Sequence, residues 1–360
     1  MSPPPVSSHG GARQGAVGRL GGSVTGDDVA PLVSVRRLSK AFDLRHGLRR
    51  LLQPAAGHTV LALDAVTLDI RRGETLGVIG ESGCGKTTLG RTILRLHEPT
   101  GGQVLFGGTD LATLDPAGLK RIRRHMQIIF QDPYASLNPR RNVEQIVSRG
   151  LRIHGDVPPP EVRDRTEAMI TRVGLSPAHL RRYPHQFSGG QRQRIGIARA
   201  LVTGPEFVVC DEPVSALDVS IQAQILALLA QLKREFGLTY LFISHDLSVV
   251  AHVSDRVAVM YLGEVVELGP ARTLLKEPAH PYTRALLAAV PRIDGSGGAR
   301  QRLTGDLPSP LRPPPGCRFH TRCPLAMAEC RNVAPGFRQL GTEHSVACHL
   351  YADRAGDRVA

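Results

Sequence analysis

From Val33 to Val290 the chain alternates between short apolar runs and stretches in which apolar residues return every three or four positions. The runs Thr75–Ile79, Gln127–Phe130, Phe207–Cys210 and Thr239–Ile243 predict strands. Helices are predicted behind several of them. The clearest covers Ile221–Phe236, where Ile221, Ile225, Leu228, Leu229 and Leu232 recur at helical spacing. Strands alternating with helices imply an α/β core on a mainly parallel sheet. Between Asn142 and Arg182 the pattern is polar and helical with no strand, which predicts an α-helical insertion into that core.

The ends differ in texture. Residues 1–30 are rich in Gly, Ser, Pro and Val without periodicity and are expected to form a disordered leader. After Val290, a Gly-rich stretch (Asp294–Gly298) reads as a linker and Pro308–Pro315 is proline-rich. Cys317, Cys323, Cys330 and Cys348 then crowd towards the end of the chain, which suggests a small separate module over 291–360. No internal repeat is visible.

Composition narrows the class. With 360 residues, 41% hydrophobic and 21% charged, the chain is ordinary for a soluble globular protein. No stretch approaches the roughly 18–20 uncharged apolar residues of a membrane span. The start of the chain also lacks the apolar segment of a secretory signal, so a cytosolic location is expected. The net charge of +13 comes from an excess of Arg, since only Lys40, Lys86, Lys120, Lys233 and Lys276 are lysines. There is no Trp and aromatics are 4%, which disfavours stacking platforms for single-stranded nucleic acid.

The chemistry begins at Gly80-Glu-Ser-Gly-Cys-Gly-Lys-Thr87, which matches the phosphate-binding pattern G-x-x-x-x-G-K-S/T. It follows a predicted strand and opens a predicted helix near Thr87. Glycines let backbone N–H groups face inward as an anion nest, and a helix N-terminus adds partial positive charge. Lys86 suits the β- and γ-phosphates, and the Thr87 hydroxyl suits Mg²⁺. A dinucleotide-binding loop is excluded because its fingerprint has no Lys–Thr pair. Downstream, Phe207-Val-Val-Cys-Asp211-Glu212 is an apolar strand ending in two carboxylates, at the sheet edge where open α/β folds bind ligands. Asp211 suits Mg²⁺, and Glu212 suits the polarisation of an attacking water.

Phe187-Ser188-Gly189-Gly190-Gln191 resembles the signature of ATP-binding-cassette (ABC) ATPases, with Arg192–Ile195 opening a helix behind it. Gln131 in Phe130-Gln-Asp-Pro133 matches the family's Q-loop, Ser215-Ala-Leu-Asp218 its D-loop, and His245 in Ile243-Ser-His-Asp246 its switch histidine. Phe42 stands where the adenine-stacking aromatic of the family lies, just before an insertion over Asp43–His58. The resemblance implies a P-loop NTPase of the ABC type, with a mixed sheet core, over residues 31–290. It implies a helical subdomain at about 132–200. ATP and Mg²⁺ are the implied cofactors. Gly80, Glu81, Ser82, Gly83, Cys84, Gly85, Lys86, Thr87 and Thr88 would surround the phosphates, and Thr87, Gln131 and Asp211 would attend Mg²⁺. Glu212, His245, Gln131 and Lys86 are the implied catalytic set. Ser188, Gly189, Gly190, Gln191 and Asp218 would serve the nucleotide of a facing, homologous ATPase subunit.

Asn138-Pro-Arg, Asp211-Glu-Pro-Val-Ser-Ala-Leu-Asp218, His280-Pro-Tyr-Thr283 and Pro315-Gly-Cys317-Arg-Phe-His-Thr-Arg-Cys323-Pro are similar to the dipeptide/oligopeptide importer branch of that family. The implied partners are two transmembrane permease subunits, the second ATPase and an extracytoplasmic peptide-binding protein. The implied place is the cytoplasmic face of the inner membrane, peripherally bound. Nickel and glutathione importers share much of the pattern and stay open as cargo alternatives. An ABC ATPase acting on ribosomes or DNA is disfavoured by the single cassette and the short helical insertion.

The four late cysteines are spaced C-x5-C-x6-C-x17-C. This lacks the close pairs of common zinc sites and the C-x2-C-x2-C run of ferredoxins. Spacing alone leaves a soft metal, or reduced unliganded thiols, open. The resemblance implies a 4Fe–4S cluster on Cys317, Cys323, Cys330 and Cys348, as a structural staple for a tail poor in hydrophobes. Cys84 and Cys210 are read as a loop residue and a core residue.

Overall fold

The computed structural model describes residues 30–44, 59–155, 157–289 and 307–351. The expected leader, apart from its last residue, and the linker at 294–298 lie outside them. Strands β1 (Val33–Asp43) and β2 (Thr59–Ile70) form an antiparallel pair, and β3 (Thr75–Ile79) runs straight into the phosphate-loop sequence. Helix α1 (Lys86–Ile93) follows, then β4 (Gly101–Phe106), β5 (Thr109–Asp110), α2 (Pro116–His125) and β6 (Met126–Ile129). The insertion supplies α3 (Val143–Val147), α4 (Arg149–His154) and α5 (Pro159–Arg172), with no strand, as its pattern predicts. After it come α6 (Gly189–Leu201), β7 (Phe207–Asp211), α7 (Val219–Phe236), β8 (Thr239–Ile243) and α8 (Leu247–Val253). Then β9 (Arg256–Tyr261), β10 (Glu264–Pro270), α9 (Ala271–Lys276), α10 (Pro281–Ala288), β11 (Phe337–Gly341) and β12 (His344–Ala347) complete the described elements.

The strands form two sheets, ordered β2-β1-β4-β5 and β11-β12-β10-β9-β3-β8-β7-β6. In the larger sheet β9, β3, β8, β7 and β6 are mutually parallel, while β10, β12 and β11 run antiparallel. Both faces of the parallel strands are covered, so the runs are apolar throughout instead of alternating. Alternate side chains nevertheless go to different cores. Phe207, Val209, Leu241, Ile243, Ala258 and Met260 pack with α1 and the smaller sheet. Val208, Cys210, Tyr240, Phe242, Val257 and Val259 pack with α7 and the helical insertion. Helix α1 is thereby clamped between two sheets, and the loop before it is held from both sides.

The tail differs from the sequence expectation of a module apart. β12 pairs with β10 (Val346 opposite Glu267) and β11 with β12, so the tail continues the larger sheet. Phe319 is 1% exposed and meets Tyr261 and Tyr282 edge-on or tilted, at ring separations of 5.3 and 5.4 Å. β12 is four residues long and too short to read as a strand by itself; the hydrogen-bonding edge of β10 makes it one. Strand and helix bounds elsewhere move by one to three residues: β6 starts at Met126, β7 reaches Asp211, and α6 opens at Gly189 instead of Arg192. Among the described residues no helix is long and apolar enough to cross a membrane.

Candidate functional site

Everything local in residues 80–87 serves to turn the chain tightly. Gly80 has φ +152°, and a Cβ there would stand 2.2 Å from the Met260 carbonyl oxygen, so glycine alone fits. Gly85 caps α1 with φ +109° and no side-chain acceptor, which leaves first-turn N–H groups available to an anion. Lys86 is buried, and its Nζ donates to the carbonyls of Gly80 (2.8 Å) and Glu81 (2.9 Å). The cation is therefore already aimed along the loop. Burial raises the Cys84 thiol above its ordinary value, opposed by Lys86, in keeping with a structural residue.

The carboxylates at the end of β7 meet this loop from two strands away in the sheet, across β8. Thr87 Oγ1 donates to Asp211 Oδ1 at 2.8 Å. Asp211 is 1% exposed; burial raises its carboxyl, and the Thr87 hydroxyl and Arg91 oppose the rise. Among the described residues its Oδ2 has no hydrogen-bond partner, with the Arg91 guanidinium at 3.6 Å. Glu212 follows with φ +46°, a left-handed conformation that strains a non-glycine residue. Glu212 Oε2 accepts from Gln131 Nε2 at 2.9 Å and lies 3.1 Å from His245 Nδ1. Two side chains from two other loops thus converge on one oxygen of Glu212.

A cavity of about 520 Å³ opens on this cluster, lined by Ser82, Gly83, Gly85, Lys86, Thr87, Thr88, Gln131, Glu212 and His245. Gly80, Glu81, Cys84 and Asp211 stand behind that lining. A roomier cavity of about 590 Å³ beside α7 is walled by Ala223, Leu226, Ala227 and Ala230. Its charged lining is Lys233 and Arg234 with His252 and includes no carboxylate, so the smaller cavity, with Lys86, Gln131, Glu212 and His245 together, is the better candidate for chemistry.

Two groups of sequence-predicted residues lie elsewhere. Phe42 is on β1 opposite Val60, which lines the cavity, but its own ring packs edge-on against His97 at 5.4 Å and under Lys40. Ser188, Gly189, Gly190 and Gln191 form the start of α6, away from the cavity. Ser188 Oγ accepts from the Gln191 N–H, and Gln191 Oε1 accepts from the Ser188 N–H, a complete capping box. The turn sits against α7, where a Cβ on Gly190 would come within 2.6 Å of Ile221. Ser188 and Asp218 are exposed, and so is Val219 at 81%.

Several site residues escape sequence reasoning. Arg91 on Asp211 has a signal, being on the face of α1 one turn beyond Thr87. Leu262, Gly263 and Pro310 line the cavity without a local signature, while Tyr282 and Arg322, which hold Glu81, lie in the importer-like stretches His280–Thr283 and Pro315–Cys323, whose sequence gives no sign of a contact to the loop.

Among the described residues no three His, Cys, Asp or Glu side chains converge closely enough to hold a metal. The late cysteines are nonetheless grouped. The Cys317 N–H donates to the Cys330 carbonyl at 2.8 Å, and each of Cys317, Cys323 and Cys348 lies close enough to at least one other late thiol for their ionisations to interact. All four are free of disulfides. Burial pushes the Cys317 thiol up to about 11 and raises Cys323 and Cys348. The donor chemistry expected from the sequence is present; a ligating arrangement is not.

Comparison with known proteins points the same way as the cavity. Residues 63–215 match the ABC transporter family model, and residues 266–330 match the oligopeptide/dipeptide transporter C-terminal region. The oligopeptide transport ATP-binding protein AppF of Bacillus subtilis is 50% identical over 325 residues, covering 89% of this chain and 98% of its own. OppF of Escherichia coli is 50% identical over 321 residues, covering 88% and 95%. Among solved structures, the dimeric post-hydrolysis state of the ATP-binding cassette MJ0796 bound to ADP and Pi aligns at TM-score 0.58 and 30% identity, covering 67% of this chain and 99% of that one. CbiO1 of Clostridium perfringens, part of the ABC transporter complex cbiONQ, aligns at TM-score 0.58 and 28% identity, covering 69% and 91%.

Proposed function

Because the chain belongs to the ABC transporter family and is an ATPase of the oligopeptide-importer branch, we propose that it powers the uptake of dipeptides or oligopeptides through a membrane ABC importer. The observation that carries the catalytic part is the meeting of Gln131, Glu212 and His245 on one carboxylate oxygen, in the cavity that also holds Lys86 and Thr87.

ATP would place its β- and γ-phosphates in the nest of residues 80–88. Lys86 would turn its ammonium from loop carbonyls to phosphate oxygens. The Thr87 hydroxyl, the orphaned buried Oδ2 of Asp211 and the Gln131 amide fit Mg²⁺, a hard cation that takes oxygen ligands. When bound, Mg²⁺ would neutralise charge on the phosphates. Glu212 would accept a proton from the attacking water as the γ-phosphate bond opens, with Gln131 and His245 holding its carboxylate in place. Phe42 would stack on the adenine, a part supported by its station on β1 opposite Val60.

The turn at Ser188–Gln191, with exposed Ser188, Asp218 and Val219, would face the nucleotide of a homologous ATPase subunit. Closure of that pair would drive two transmembrane permeases, with an extracytoplasmic binding protein delivering peptide. The chain would then work peripherally, at the cytoplasmic face of the membrane. The four late thiols suit a 4Fe–4S cluster in donor type, and binding it would require their deprotonation. Iron and acid-labile sulfide measured in anaerobically purified complex test this, and their absence overturns it.

The transport reading is tested by affinity purification from detergent-solubilised membranes. Two polytopic permeases and a second, related ATPase are expected to co-purify. Recovery of the chain alone, or with ribosomes, refutes transport while leaving the ATPase chemistry intact.

A further inference from the structure

We infer that Arg322, in the C-terminal tail, is a positioning residue for the phosphate-binding loop. It acts by fixing Glu81, and the inference rests on the reading of residues 80–88 as the ATP phosphate site.

Glu81 is the first side chain of that loop, and each of its polar groups is held. Its N–H donates to Tyr282 Oη at 2.9 Å. Its carboxylate accepts from both ends of the Arg322 fork, at 2.7 and 3.0 Å. Its carbonyl accepts from Lys86 Nζ at 2.9 Å. One residue therefore joins the tail to the lysine proposed to meet the phosphates. A bidentate guanidinium–carboxylate pair fixes orientation as well as distance, which a point charge does not. Arg322 is 8% exposed and Glu81 partly buried, so the pair is shielded from the screening that makes surface pairs weak.

The tail is anchored independently beside this contact. Arg318 donates to the Leu262 carbonyl and to Asp64, and pairs with Glu264 at 2.9 Å. Leu262 is itself in the cavity wall. Between the two arginines Phe319 is wedged against Tyr261 and Tyr282, the latter being the other holder of Glu81. Arg318, Phe319 and Arg322 thus form a short clamp behind the loop. The clamp lies between Cys317 and Cys323 in the chain.

A clamp that holds the loop equally before and during hydrolysis changes ATP binding more than turnover. In the full importer complex, R322Q is expected to raise KM for ATP about tenfold, the effect of roughly 1.4 kcal/mol, with kcat within about twofold. R322K keeps the charge without the fork and should fall between R322Q and the parent. E81Q should match R322Q, and E81Q/R322Q should be no worse than either single variant, because both remove one interaction. Titration with a fluorescent ATP analogue and a melting curve accompany each variant. A lowered melting temperature with KM unchanged, or effects of E81Q and R322Q that simply add, overturns the inference. K86A separates the premise: if it still binds the analogue normally, the ATP-site reading of the loop falls and the inference with it. If K86A loses binding while R322Q and R322K do not, the inference alone falls.

Discussion

Replacing Glu212 by Gln removes one charge and almost no volume. The amide oxygen can still accept from Gln131 Nε2, now 2.9 Å from the carboxylate, and the backbone stays at φ +46°. Packing, strain and the Lys86 side of the cavity are therefore unchanged, and the loss is confined to the proton acceptor. General-base removal costs about 10²–10⁴ in rate, or about 2.7–5.4 kcal/mol at the transition state. Phosphate release by the assembled complex should accordingly fall at least about a hundredfold. The affinity for a fluorescent ATP analogue should stay within about threefold, because neither the nest nor Lys86 has moved. A rate above a tenth of the parent's, with ATP binding intact, refutes the role given to Glu212. Glu212→Gly sharpens the case. It relieves left-handed strain of about 1–3 kcal/mol and gives back about 0.5–1 kcal/mol through the freer unfolded chain. That variant should melt no lower than the parent and still be inactive, which would show that the strain is kept for the carboxylate's sake.

Phe42→Ala should weaken ATP-analogue binding by about 1–3 kcal/mol if the ring stacks on the base, and leave binding unchanged if its place is only against His97 and Lys40. Burial lowers His280 to about 3, while in the unfolded chain it takes up a proton below about 6.5. Stability from this site is therefore full above pH 6.5 and lost as pH falls towards 3. His280→Asn retains an acceptor for the Tyr282 N–H and should spare about 2 kcal/mol of the loss between pH 7 and 5; an unchanged acid slope in melting experiments refutes this. Phe319→Ala opens a cavity among Tyr261, Tyr282 and His280 and should cost about 3–5 kcal/mol, read as a lowered melting temperature.

The phosphate loop, the acids ending β7 and the helix-opening Ser188–Gln191 were readable because each is a local constraint. Gly80 is demanded by a backbone turn, Lys86 and Thr87 by the helix start beside it, and Ser188 with Gln191 by a cap spanning four residues. Likewise α7 follows from the spacing of Ile225, Leu228, Leu229 and Leu232, which its buried face confirms. The tail misled for the opposite reason. Its polar, proline-rich texture carries little period, and β12 becomes a strand only on meeting β10.

What the chain determined by itself, then, was which groups are present and how each short segment bends. Tertiary structure decided which of them meet. Gln131 and Glu212 are 81 positions apart, and Glu81 and Arg322 are 241. Phe42 turns its ring to His97, and the tail closes behind the loop. Contacts at such separations repay loop-closure entropy only through the packing of whole sheets and helices, so no window of local propensity encodes them.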